Sequence, residues 1–193
     1  MSSHSPPYSY RWYIDRFAAA RDRAVDFGQP IDQELFLLRP SEHQWSIAEC
    51  FSHLVTFGDR YLQTMQQGTE AVKSRAQPVD EDLPFPPRLL WKGVINLFAP
   101  PYRLKMKTVE PFSPNHKVSL KKASVLDRFV ELQEQFIAML EDTRTEGIHM
   151  DQVKVSNPIL SFIKMTLSEC FAVIEVHQRR HLWQAEQVYD KLS

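Results

Sequence analysis

The sequence predicts an all-α protein, a bundle of four helices. Apolar residues recur at three- and four-residue spacing over long stretches, glycine is scarce against proline (5 against 13), and no two alternating apolar segments flank a hairpin turn. At 193 residues, with 43% hydrophobic and 24% charged side chains, the chain has the size and composition of a soluble globular domain, so residues 1–193 are expected to form one domain.

The first helix is predicted from about Ser9 to Phe27, with Tyr10, Tyr13, Ile14, Phe17 and Ala20 on one face and Gly28 and Pro30 as its stop. The second follows Trp45, where Ser46 and Glu49 have the spacing of a capping box and Ile47, Cys50, Leu54, Phe57, Tyr61 and Met65 form an apolar stripe. A third is expected to begin at Ser124, with Asp127 three positions on. It carries Leu126, Phe129, Val130, Leu132, Phe136, Ile137 and Leu140 and ends at Gly147. The fourth starts at a second capping box, Thr166 with Glu169, and carries Cys170, Val173, Ile174, His177, His181, Gln184 and Val188.

Between the second and third helices, Gln77 to Val118 is rich in proline and has no clean period. Within it, Arg88 to Phe98 reads as a short apolar helix bracketed by Pro87 and Pro100, which either packs on the bundle or forms a homodimer contact.

Charge narrows the classes of function. With 23 basic and 24 acidic side chains the net charge is -1, and the one dense basic cluster, Lys117, Lys121 and Lys122, reads as solvated, so nucleic acid is not expected as a partner. The start of the chain, MSSHSPPYSYRWY, lacks a charged segment followed by an apolar run. It resembles neither a signal peptide nor a membrane span, and a cytoplasmic protein without a membrane partner is expected. Cys50 and Cys170 lie in apolar helical stretches and are expected to be buried, reduced thiols.

His177 and His181, four apart, share one helix face, with β-carbons separated by about 6 Å. Such a pair can chelate a metal, or it can be two partly buried polar residues with no ligand. A selective site needs a third ligand, and His53, on the polar margin of the second helix's stripe, is the best candidate. His43, His116 and His149, all in expected loops, are candidates for a fourth. The segment HQRRH lacks the glutamate of HExxH metalloproteases, so that machinery is absent. Glu49 and Glu169 read as caps before they read as bases, and Arg180 and Gln184 as a surface charge or an interhelical hydrogen bond. Trp12, Trp45, Trp91 and Trp183 read as packing residues.

The segments WSIAECFSHL (45–54) and NPILSFIKMTLSECFAVIEVHQRRHLWQ (157–184) resemble, in order and spacing, the opening and closing signatures of the DinB-like (YfiT-like) superfamily. The resemblance implies a four-helix bundle with up-down-down-up connectivity. It also implies that one histidine of the second helix and two of the fourth, by position His53, His177 and His181, bind a divalent ion. Its members include thiol-dependent transferases and metal-dependent hydrolases, so a small-molecule substrate and a low-molecular-weight thiol are implied as partners. Fold and metal transfer better than activity, and the proline-rich stretch is not part of the shared signatures. Three imidazoles leave open positions on the ion for water, and nickel and zinc both suit such ligands. The alternative is a non-catalytic module, stabilised by the metal, that binds a small molecule or a protein.

Overall fold

Local capping decides where most of the helices begin. In the computed structural model, which describes residues 5–72, 74, 77–100, 102 and 121–193, α1 (Tyr10–Gly28) starts at Ser9, whose hydroxyl accepts the Trp12 N–H. A short α2 (Gln33–Leu37) follows, capped by Asp32, with Phe36 buried and stacked near Phe51. At the start of α3 (Ile47–Glu70) the expected capping box is formed in full: Ser46 Oγ accepts the Glu49 N–H and the Glu49 carboxylate accepts the Ser46 N–H. All six residues of the expected stripe, from Ile47 to Met65, are buried.

The expected proline-bracketed helix is α4 (Leu89–Phe98), which packs Trp91 and Ile95 onto the bundle. The remainder of the stretch from 103 to 118 lies outside the described residues. Two further long helices complete the bundle, α5 (Lys122–Thr145) and α6 (Leu167–Leu192). The α6 box of Thr166 and Glu169 is formed as expected.

Three elements differ from the sequence expectation. α5 begins at Lys122 rather than Ser124, and Lys121 at its cap makes no side-chain capping bond. Its start is held instead by tertiary contacts: the Lys122 N–H donates to Gln33 Oε1 (3.3 Å), and Lys122 Nζ donates to the Gln29 carbonyl (2.6 Å) and to that of Ile31. α2 had no counterpart in the sequence reading, because five residues are too few to show a period. A strand pair also exists where none was expected: β1 (Lys154–Ser156) pairs antiparallel with β2 (Lys164–Thr166), Val155 opposite Met165. Each strand is only three residues long, so alternation is illegible, and the connection is shaped by Asn157, whose Oδ1 accepts the N–H groups of Ile159 and Leu160. Gly147 does end α5 as expected: it takes φ 75°, and Ile148 N–H closes back on the Thr143 carbonyl.

Contacts along the helices fix their directions. Gly28 at the end of α1 meets Leu126 near the start of α5, while the Tyr10 hydroxyl donates to the Ile148 carbonyl just past its end, so α1 and α5 are antiparallel. Phe51 packs on Phe129 and Gly58 on Leu132, so α3 runs parallel to α5. Tyr13 bonds Ser168 and Arg23 pairs with Glu186, which makes α6 parallel to α1 and antiparallel to α3. The result is the up-down-down-up bundle that the resemblance implies. Among the described residues, no helix is long and apolar enough to cross a membrane.

Glu169 joins α4 to the bundle. Besides the Thr166 N–H, its carboxylate accepts the Arg88 backbone N–H (3.0 Å) and both Nε and Nη2 of Arg88 (2.7 Å each), while Arg88 Nη2 also reaches the Lys164 carbonyl. Burial alone would raise the Glu169 pKa, but the bonds from Arg88 and the two backbone N–H groups outweigh it and hold the carboxyl below its ordinary range.

Two outcomes follow from this packing. A depressed folded-state pKa gives stability that is present above the ordinary glutamate pKa and lost as pH falls through the folded value. Glu169→Gln is therefore expected to cost about 1 kcal/mol in urea unfolding at pH 7, a small figure because Arg88 is half-exposed, with the deficit closing once the solution is more acidic than pH ~4. A constant deficit down to pH ~3 would remove the ionic explanation. A Cβ at Gly58 would lie 2.3 Å from Leu132 Cδ2, so Gly58→Ala is expected to lower stability by about 1 kcal/mol, overpacking outweighing the gain in helix propensity. In a Leu132→Ala background the same change should instead stabilise, and thermal unfolding of the four proteins measures this coupling.

Candidate metal centre

The first two turns of α3 and the middle of α6 face each other where these helices cross antiparallel. His53 lies one turn past Glu49 on α3, and His177 and His181 lie one turn apart on α6. All three are buried, at 3%, 4% and 8% exposure. One ring nitrogen from each lies within 4.8 Å of the other two. His53 Nε2 and His177 Nε2 are 3.2 Å apart, which matches the roughly 3.3 Å expected between two nitrogens that share an ion at 2.0–2.1 Å in tetrahedral geometry.

The surroundings keep the two α6 rings neutral. Burial first, then the neighbouring histidines and Arg180, hold His177 and His181 well below the ordinary value of 6.5, and a hydrogen bond between His181 and Gln184 opposes this at His181. Neutral imidazole is the form that ligates a metal. The Nδ1 atoms of His177 and His181 have no hydrogen-bond partner in the protein. A donor set of three imidazoles with no carboxylate among them suits a borderline ion such as zinc or nickel rather than a hard cation.

Aromatic rings enclose the cluster. Phe57, one turn beyond His53, stacks on His177 at 3.9 Å and 17°, and Phe98 of α4 meets the same imidazole edge-on at 5.6 Å. Trp45 stacks on His181 at 5.8 Å and lies 5.1 Å from His53. Sequence reasoning placed Trp45 and Phe57 in general packing and did not connect them with the histidines. The four-residue spacing of His53 and Phe57 was the available signal for one of them. Nothing local in the sequence points Phe98 at His177.

The other candidates fall elsewhere. Glu49 caps α3 and is paired with Arg39 through Nε (2.8 Å) and Nη2, and Glu169 is held by Arg88, so both carboxylates are structural partners. Arg180 lies over the Tyr102 ring at 5.6 Å, and Trp183 packs against the same ring. Trp91 is buried under α4, and Trp12 contacts Tyr8 and Tyr13. Cys50 and Cys170 are buried free thiols whose pKa values burial pushes up, so they belong to the core. His43 is exposed, His149 packs edge-on against Phe85, and neither joins the cluster. His116 lies outside the described residues.

Comparison with known proteins agrees with this architecture. The family model described as the DinB superfamily matches residues 16–185, which includes the greater part of α1, all three histidines and the box that opens α6. No curated protein and no solved structure is matched by this chain. With a buried three-histidine cluster between the second and last long helices of an up-down-down-up bundle, and a match over most of its length, the chain belongs to the DinB superfamily.

Proposed function

We infer that this protein binds one divalent ion, nickel or zinc, through His53, His177 and His181, and uses it as a metal-dependent hydrolase or thiol-dependent transferase on a small molecule. The observation that carries this reading is the convergence of three buried imidazoles from two separate helices, two of them with no partner in the protein at Nδ1. Burying three such rings in contact has a desolvation cost that a ligand would offset. Other superfamily members supply the two reaction classes, and the histidine set supports the metal half of the reading.

When bound, such an ion acidifies a coordinated water or thiol and polarises an electrophile. The chain's own part is to hold and shape. His53 on α3 and the pair on α6 set the spacing of the ligands. Gln184 orients His181, and Phe57, Trp45 and Phe98 exclude bulk water from around the rings. Neither Glu49 nor Glu169 is free to act as a base, so proton transfer in this reading falls to the substrate, its thiol partner or solvent. A cytoplasmic, reducing location accords with the two free thiols.

The burial of the cluster favours a second reading, a metal-stabilised module without catalysis, because little of the three rings is exposed for a substrate to approach. Nickel or zinc titration of the whole protein tests the shared premise. One equivalent is expected to bind, weakening as pH falls because protons compete for the imidazoles. His53→Ala is expected to lower affinity by more than the ~10–100-fold typical of losing an outer-shell partner, while His149→Ala leaves it unchanged. If folded His53→Ala binds as tightly as the parent, the three-histidine site is wrong. Turnover by the metal-loaded protein in a screen that includes thiol cosubstrates would decide for the enzyme over the module.

A further inference from the structure

Behind the histidine cluster, α3, α5 and α6 leave a small cavity between them. It is lined mostly by apolar groups, among them Leu54, Phe57, Leu132 and Phe136, yet Gln133, Gln178 and His177 also line it. Gln133 and Gln178 are 1% and 3% exposed, and neither side-chain carbonyl oxygen has a hydrogen-bond partner in the protein. His177 turns Nε2 toward His53, and its Nδ1, on the other side of the ring, is also without a partner. Three unsatisfied polar atoms around one cavity are unusual in a core, where burying each without a bond costs on the order of 1–3 kcal/mol.

The cavity measures about 10 Å3, at the lower bound of the room that one water molecule needs. The hydrogen-bond arithmetic also closes. A water accepts one bond from an imidazole N–H and donates two, and the groups present are one imidazole nitrogen and two carbonyl oxygens.

We propose that one structural water occupies this cavity, accepting a hydrogen bond from His177 Nδ1–H and donating to Gln133 and Gln178, and so fixes His177 in the tautomer whose Nε2 lone pair faces His53 and His181. Gln133 and Gln178 are then positioning residues for the ligand cluster, acting through the water. In the metal-free protein the same tautomer makes His177 Nε2 the acceptor of the His53 Nε2–H, which accounts for their 3.2 Å separation. The inference deepens the metal reading but does not need metal to be tested.

The experiment uses the full chain without metal. A high-resolution crystal structure is expected to show water density within hydrogen-bond distance of all three groups, and multiple-bond proton–nitrogen spectra are expected to report the Nδ1–H form at His177. A dry cavity, or the Nε2–H form in the parent, overturns the proposal whatever the variants do. The pair Gln133→Met and Gln178→Met keeps side-chain length but removes both acceptors. The expected result is loss of the tautomer preference and a ten- to hundredfold fall in zinc affinity with the helical spectrum retained. The Gln178→Glu variant, which keeps an acceptor of the same length, should restore both in the Gln133 parent background. Unchanged tautomer and zinc affinity in the folded double variant would also overturn it. If the parent binds zinc through His53 but the glutamine variants bind equally well, this inference alone falls. If zinc binding is indifferent to His53→Ala, the metal site falls, and the density and spectra still decide on the water.

Discussion

The antiparallel crossing of α3 and α6 is the constraint on which the rest of the molecule depends. Both helices have to bury an apolar stripe, and on each the histidines lie at the stripe rather than opposite it, so packing the stripes together brings the imidazoles together. Three imidazoles then have to be kept dry in order to be buried together. The surrounding aromatic rings meet that requirement: they offer large apolar faces for the imidazoles to stack on and leave the ring nitrogens directed at one another.

The polar residues around this crossing fall into a consistent order. The two capping carboxylates, Glu49 and Glu169, are used up in opening their helices and in binding arginines from neighbouring segments. The Arg88–Glu169 bonds also determine where α4 starts, and α4 in turn places Phe98 against His177. A capping interaction at one end of α6 thus shapes the wall of the cluster three turns away. Through Phe98, the described part of the proline-rich stretch is in this way part of the cluster's enclosure.

Legibility in the sequence followed the range of the interaction. Capping boxes span four residues, and both appear as read. Helix periodicity spans whole turns, and the stripe from Ile47 to Met65 is buried in full. Where a start depended on contacts with a distant segment, as at Lys122 with Gln33 and Gln29, the local signal at Ser124 misplaced it. Elements too short for a period, α2 and the β1–β2 pair, left no trace that periodicity could find.

The sequence by itself determined the class of fold, the four long helices, and the pair of histidines that one helix presents on a single face, His177 and His181, because each depends on residues within a few turns of one another. It nominated His53 only through resemblance and position on a stripe. That His53 meets the pair, that Phe57, Trp45 and Phe98 enclose them, and that Gln133 and Gln178, with unpaired carbonyl oxygens, line a cavity beside His177 was decided by tertiary structure alone. The reason is physical. A helix fixes the relative direction of its own side chains, but the rotation and height at which two helices cross is set by how all their side chains interlock, and no local pattern encodes that sum.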